Sequence, residues 1–68
     1  MEKLKIEYNN NLHRFKRYME FKQKEEYKQD ETRYEDEAYK ILVKMDDILQ
    51  ELSELGLRIT KDIVENGF

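Results

Sequence analysis

Residues 34–59 read YEDEAYKILVKMDDILQELSELGLRI, and their apolar positions decide the fold. Apolar side chains recur alternately four and three residues apart, which is the heptad pattern of a helix that packs against other helices. The positions are Tyr34, Ala38, Ile41, Met45, Ile48, Leu52, Leu55 and Ile59. Leu42 and Leu49 widen this seam into a stripe that suits a helical bundle better than a strict two-stranded coiled coil.

The ends of this helix carry their own signals and place it at about residues 33–55. Thr32 and Glu35 have the spacing of a capping box, and the acids that follow favour the positive end of the helix dipole. Gly56 fits the left-handed position of a Schellman motif, after which Leu57 would fold back onto the helix.

A second helix is predicted at about residues 12–29, where Leu12, Phe15 and Met19 recur at helical spacing. Lysines gather in its last turns, where cations favour the negative end of the dipole. Asn11 is the predicted N-cap.

The connection between the two helices has two interpretations. A single unbroken rod is compatible with the absence of Gly and Pro between Leu12 and Leu55. The seam at 12–19, however, is displaced by two positions from the register of the later helix, which is about 200° of rotation. Since a straight rod would point its two stripes in nearly opposite directions, the sequence favours an all-α helical hairpin with a break near residues 29–32.

The first residues are ambiguous between strand and helix. Leu4, Ile6 and Tyr8 alternate with strand period and predict a short strand at residues 3–8, although Leu4 and Tyr8 also fit a helix. The run of Asn at positions 9–11 is typical of a turn.

The last residues, 57–68, are a short C-terminal segment. Its alternating Leu57 and Ile59 suggest a pairing of residues 57–60 with the predicted strand. Thr60 is placed to cap a final short helix that Gly67 would close.

Length and composition point to one small domain, residues 1–68, that needs support from a second copy. A chain this short buries only about 60% of its unfolded surface. There is no Cys for disulfides or thiolate zinc sites and a single His, so oligomerisation is the remaining support. We therefore expect the hairpin to dimerise into a four-helix arrangement. The predicted self-association seam is Ala38, Ile41, Leu42, Met45, Ile48, Leu49, Leu52 and Leu55.

Composition and motifs argue against several classes of protein. Charged residues are 43% of the chain and the longest apolar run is Ile41-Leu42-Val43, so the sequence predicts a cytoplasmic protein without a membrane segment or signal peptide. With one Ser, one His and no Gly-rich loop, the chain offers no catalytic constellation, metal set or cofactor motif. His13 has no second ligand at metal-binding spacing. We expect a protein that is not an enzyme.

The favoured function is that of a small regulatory or adaptor protein that binds another protein, and a purely structural dimer is one alternative. The other alternative is an acidic mimic of nucleic acid.

This mimic would block a basic DNA- or RNA-binding protein. It is suggested by the distribution of charge: residues 1–24 are net positive, whereas residues 25–68 are acidic enough to bring the net charge of the whole chain to −3. Direct nucleic-acid binding is disfavoured by this net charge. The candidate partner-binding acidic face is Glu26, Asp30, Glu31, Tyr34, Asp36 and Glu37.

Overall fold

Two long helices form an antiparallel hairpin, one short helix lies at its tip, and another packs against its side. The computed structural model describes residues 1–68 and contains no strand. Its helices are α1 (Glu2–Phe21), α2 (Glu25–Gln29), α3 (Glu31–Glu54) and α4 (Lys61–Asn66). Tyr18, late in α1, bonds to Glu37, early in α3, so the two long helices run in opposite directions. The prediction of an all-α helical hairpin is confirmed. No helix combines the length and the apolar character that a bilayer-spanning segment requires.

The hairpin turns earlier than predicted, because three aromatic rings gather at its tip. The first helix ends at Phe21 instead of continuing to residue 29, and the chain bends at 22–24 before α2. This bend brings Phe21, Tyr27 and Tyr34 together, with ring centroids 5.0 to 5.9 Å apart. Since aromatic pairs add about 0.5–1.5 kcal/mol each beyond their buried area, this cluster stabilises the break.

Of the two interpretations of residues 3–8, the strand is wrong and the helix is correct, because that segment lies inside α1. In the helix, Leu4, Tyr8 and Leu12 lie on one face and pack into the core shared with α3. The Asn run at 9–11 continues the helix instead of forming a turn. Its low helix propensity, at most about 0.7 kcal/mol per residue, is outweighed by the burial of this face, since one buried Tyr or Leu contributes about 1.5–3 kcal/mol.

Two predicted helix caps are also wrong. Asn11 is a buried residue in the middle of α1, and its side-chain amide donates to the Glu7 carbonyl oxygen at 2.8 Å. At the other helix, α3 begins at Glu31, before Thr32, with Asp30 at the N-cap and no side-chain capping bond. Asp30 has φ −140° and ψ 51°, which separates α2 from α3, and its carbonyl accepts the first helical bond from Tyr34.

The end of α3 follows the predicted Schellman motif. Gly56 has φ 98°, a left-handed conformation that favours glycine. Its amide donates to the Ser53 carbonyl oxygen, and the Leu57 amide donates to that of Leu52, both at 3.0 Å. Leu57 packs against the core, so the motif turns the chain back along the hairpin.

The core lies between α1 and α3 of the same chain. Only nine of the 68 residues are buried, so each core side chain carries a large share of the stability. The central cluster consists of Tyr8, Leu12, Ile41, Met45, Ile48 and Leu52.

The short helix α4 is attached to the hairpin from outside. Thr60 caps it as predicted, its hydroxyl oxygen accepting from the Ile63 amide at 3.2 Å, and Gly67 closes it with φ 83°. No residue of α4 is buried. The predicted strand pairing of residues 57–60 with residues 3–8 does not form; instead, three hydrogen bonds attach the C-terminal segment to α1. The Tyr8 hydroxyl donates to the Val64 carbonyl oxygen at 2.7 Å. The Asn9 side-chain amide donates to the Phe68 carbonyl oxygen at 3.1 Å and accepts from the Phe68 amide at 2.7 Å.

Candidate functional site

The structure divides the predicted self-association seam into a buried part and an accessible part. The buried part packs inside the hairpin of its own chain and consists of Ala38, Ile41, Met45, Ile48 and Leu52. Leu42 and Leu55 are 46% and 56% exposed, and Leu49 is half-buried. Only these three side chains remain accessible to a partner.

Leu42 and Leu49 lie in an apolar groove between α3 and α4, with a volume of about 400 Å³. We refer to this surface as the apolar groove. It is lined by Tyr8, Leu42, Val43, Met45, Asp46, Leu49 and Val64. Tyr8 is fully buried behind it, and Asp46 is its only charged residue. The groove exists because α4 has only six residues and leaves the middle of α3 uncovered.

The predicted seam contains three of the seven lining residues, Leu42, Met45 and Leu49. Among those that it missed are the exposed apolar side chains of Val43 and Val64, each 41% exposed. A signal for Val43 was present: Ile41, Leu42 and Val43 are consecutive in one helix and span about 200°. They cannot all face one neighbour, so at least one has to lie on another surface. Val64 had no such signal, because its position depends on its contact with Tyr8.

A second groove, of about 430 Å³, runs along the opposite side of the hairpin and is polar. We refer to this surface as the polar groove. It is lined by Asn11, Arg14, Tyr18, Glu37, Lys40, Ile41 and Lys44. Lys40 and Leu42 are two positions apart, or about 200° around α3. The two grooves therefore face away from each other.

One end of the polar groove is fixed by a hydrogen bond from the Tyr18 hydroxyl to Glu37 Oε2. Arg33 Nε lies 3.5 Å from the other carboxylate oxygen of Glu37. The hydrogen bond to Glu37 raises the pKa of Tyr18 above its usual value, and burial adds to this. The same bond lowers the pKa of Glu37, helped by the charge of Arg33 and partly opposed by burial. This pair ties α1 to α3.

We expect the free energy of unfolding to depend less on pH, below about pH 6, in Glu37→Gln than in the wild-type protein. Folding lowers the pKa of the Glu37 carboxyl group below its value in the unfolded chain, which is 4.5. Such a group stabilises the protein fully when the pH is above the unfolded pKa. This stabilisation is lost as the pH falls through the pKa of the folded state. The substituted glutamine side chain retains an acceptor for Tyr18 but cannot titrate. Urea unfolding of wild type and variant from about pH 6 to pH 3 measures the difference.

Glu35→Gln is the matched control, because Glu35 is exposed and has no ion pair. Its profile should follow that of the wild type. Parallel profiles for wild type and Glu37→Gln would show that the ionised carboxylate of Glu37 does not stabilise the fold.

The residues of the predicted acidic face do not share one surface. Glu31 and Asp36 are five positions apart in α3, about 140° around the helix. Asp36 pairs with Lys40 at 3.1 Å, and Glu37 is bonded to Tyr18. The remaining members lie at the hairpin tip: Glu26, Asp30 and Glu31 are exposed without an ion pair, and the ring of Tyr34 stacks on Tyr27.

Neither a metal-binding geometry nor a similarity to other proteins points to a function. No three His, Asp or Glu side chains converge as metal ligands would. The chain matches no protein-family model, no curated protein and no solved structure. The two grooves and the hairpin tip are the surface features available to a partner.

Proposed function

We propose that this is a small non-catalytic regulatory or adaptor protein that acts through protein–protein contacts, and that it self-associates through the apolar groove. The supporting observation is its surface. The chain exposes 5357 Å², whereas a compact protein of 8.5 kDa exposes about 4,650 Å². The excess of about 700 Å² is close to the ~800 Å² that each partner buries in an interface of ordinary size.

The apolar groove is the part of this surface best suited to a second copy. Leu42, Val43 and Val64 are 41–46% exposed there, next to half-buried Leu49. A two-fold axis across α3 would place Leu42 of one chain near Leu49 of the other, in an antiparallel pair of hairpins with four long helices. The polar groove and the hairpin tip would then face outward, where another protein can bind them.

Sedimentation equilibrium at micromolar concentration tests this arrangement. We expect wild type to be a dimer and Leu42→Glu/Val43→Glu to be a monomer with unchanged helical circular dichroism. Both positions are largely exposed, and Glu is a good helix former, so the charges should disrupt the interface and not the hairpin. Ile6→Glu, at a 58% exposed position on α1, is the matched control and should remain dimeric.

Two results would contradict self-association through this groove. One is a monomeric wild type across the whole concentration range, and the other is a double variant that still dimerises. In the second case the exposed Leu55, outside the groove, would be the next position to change.

The nucleic-acid mimic receives less support from the geometry. A mimic needs its carboxylates on one surface, where they can replace a row of phosphates. Here Asp36 and Glu37 are engaged with cations on the same hairpin. The free acids are confined to the tip around Glu26, Asp30 and Glu31.

A further inference from the structure

We propose that the polar groove binds a small anion that carries several phosphate groups. Its lining includes three cations, Arg14, Lys40 and Lys44, and one acid, Glu37. This local excess of positive charge contrasts with the net charge of −3 for the whole chain. Arg14 projects from α1 and the two lysines from α3, so the charges line both walls.

These cations are largely free to bind a ligand. Arg14 and Lys44 have no carboxylate within ion-pair distance, and only Lys40 is paired, with Asp36 at 3.1 Å. Glu37, the one acid in the groove, is already bonded to Tyr18 and lies beside Arg33. Its repulsion toward an anion is thereby reduced, whereas the guanidinium fork of Arg14 can bind two phosphate oxygens at once.

The inner wall of the groove contains the one buried polar side chain of the protein, Asn11. Asn11 is only 7% exposed, between core residues of α1. Its amide nitrogen makes one hydrogen bond, to the Glu7 carbonyl oxygen, and its amide oxygen accepts none. An Asn amide carries two N–H protons. The second N–H makes no hydrogen bond within the protein and is the one donor that Asn11 would offer a ligand beside the three cations.

The size of the groove indicates the class of anion. About 430 Å³ falls within the range of small-molecule sites and far exceeds what one inorganic phosphate fills. Three cations on two walls match a chain of phosphate groups better than a single charge. Two sources share this chemistry: an inorganic polyphosphate, and a nucleotide whose base would lie against the ring of Tyr18.

Isothermal titration calorimetry with tripolyphosphate and with ATP, at low salt and without divalent metal, tests the site. We expect one binding event per chain, weakened about tenfold or more in Arg14→Gln and in Lys44→Gln, since each change removes a charge-assisted hydrogen bond. Lys16→Gln is the matched control, because exposed Lys16 lies outside the polar groove and its loss should leave the affinity unchanged.

The pattern of affinities identifies the source. Equal affinities would assign the site to the phosphate chain alone, and tighter binding of ATP would assign it to a nucleotide. Amide chemical shifts of the wild-type protein provide a second measurement, with changes expected at residues 11–18 and 37–44. The monomeric variant Leu42→Glu/Val43→Glu should bind as the wild type does, because its changes lie on the other side of α3, so this site and self-association can fail independently.

Two outcomes would overturn the assignment. One is the absence of binding by both probes at millimolar concentration. The other is an equal loss of affinity in Lys16→Gln and Arg14→Gln, which would indicate diffuse charge attraction instead of a site.

Discussion

Ile48→Asp should leave the chain without a cooperative fold. Ile48 is 5% exposed and lies in the central cluster between α1 and α3, among apolar side chains that offer no partner to a carboxylate. Burying an unpaired charge typically destabilises a protein by more than about 4 kcal/mol. A domain of 68 residues has only about 3–10 kcal/mol of stability in total. Far-UV circular dichroism should therefore lose most of its helical signal and its thermal transition.

The matched control makes the same change at an exposed helical position. Ile6 is 58% exposed on α1, so Ile6→Asp adds the same charge without burying it. It should change the free energy of unfolding by less than about 1 kcal/mol. A wild-type melting temperature for Ile48→Asp would contradict the placement of this residue in the core.

Tyr8→Ala should remove about 3–5 kcal/mol from the free energy of unfolding, as expected when a fully buried aromatic ring is deleted. Tyr8 is 0% exposed and touches three parts of the fold. Its ring belongs to the core cluster and meets the ring of Phe68 edge-on at 5.6 Å, and its hydroxyl bonds to Val64. Urea unfolding at a fixed protein concentration measures the loss, since any dimer would add concentration-dependent stability.

Tyr8→Phe separates the hydroxyl from the ring. It keeps the packing and removes only the bond to the Val64 carbonyl oxygen, which should lower the stability by about 1 kcal/mol. Hydrogen exchange should accelerate mainly in α4, because the bonds between Asn9 and Phe68 at the end of the chain would then be the only side-chain hydrogen bonds that attach this segment to the hairpin. If Tyr8→Phe were as damaging as Tyr8→Ala, the hydroxyl would matter more than the core contact.

The elements that the sequence predicted correctly are those whose signals are local. The seam of α3 repeats over several heptads toward one neighbour, so periodicity alone identifies it. The left-handed Gly56 and the Thr60 cap each depend on backbone groups within a few residues. These interactions are specified by short stretches of sequence and need no knowledge of the tertiary structure.

The errors concern residues whose conformation depends on distant partners. Leu4 and Tyr8 fit strand and helix alike, and the core shared with α3 makes the helix more stable. The bend after Phe21 depends on Tyr27 and Tyr34, which belong to two other helices. Sequence periodicity contains no information on such contacts until the hairpin register is known.

The candidate sites were predictable only in part, for the same reason. The stripe of α3 is visible in the sequence, but whether the same chain or a second copy covers each position is not. Arg14 and Lys44 are 30 positions apart and meet in one groove because α1 and α3 are antiparallel. Neither residue stands out from the many charged residues of the chain.

The positions of the tyrosines make the protein its own optical probe. With five Tyr and no Trp, absorption and emission in the near ultraviolet come almost entirely from tyrosine. Tyr27 and Tyr34 are stacked at the hairpin tip, while Tyr8 is enclosed near the other end of a molecule 43 Å long. Quenching of Tyr8 emission by the adjacent peptide groups would change when α4 detaches, whereas the stacked pair reports on the tip. Since the five tyrosines emit in one band, the difference between the wild-type protein and Tyr8→Phe isolates the emission of Tyr8, and an unlabelled sample then follows the detachment of α4 by light alone.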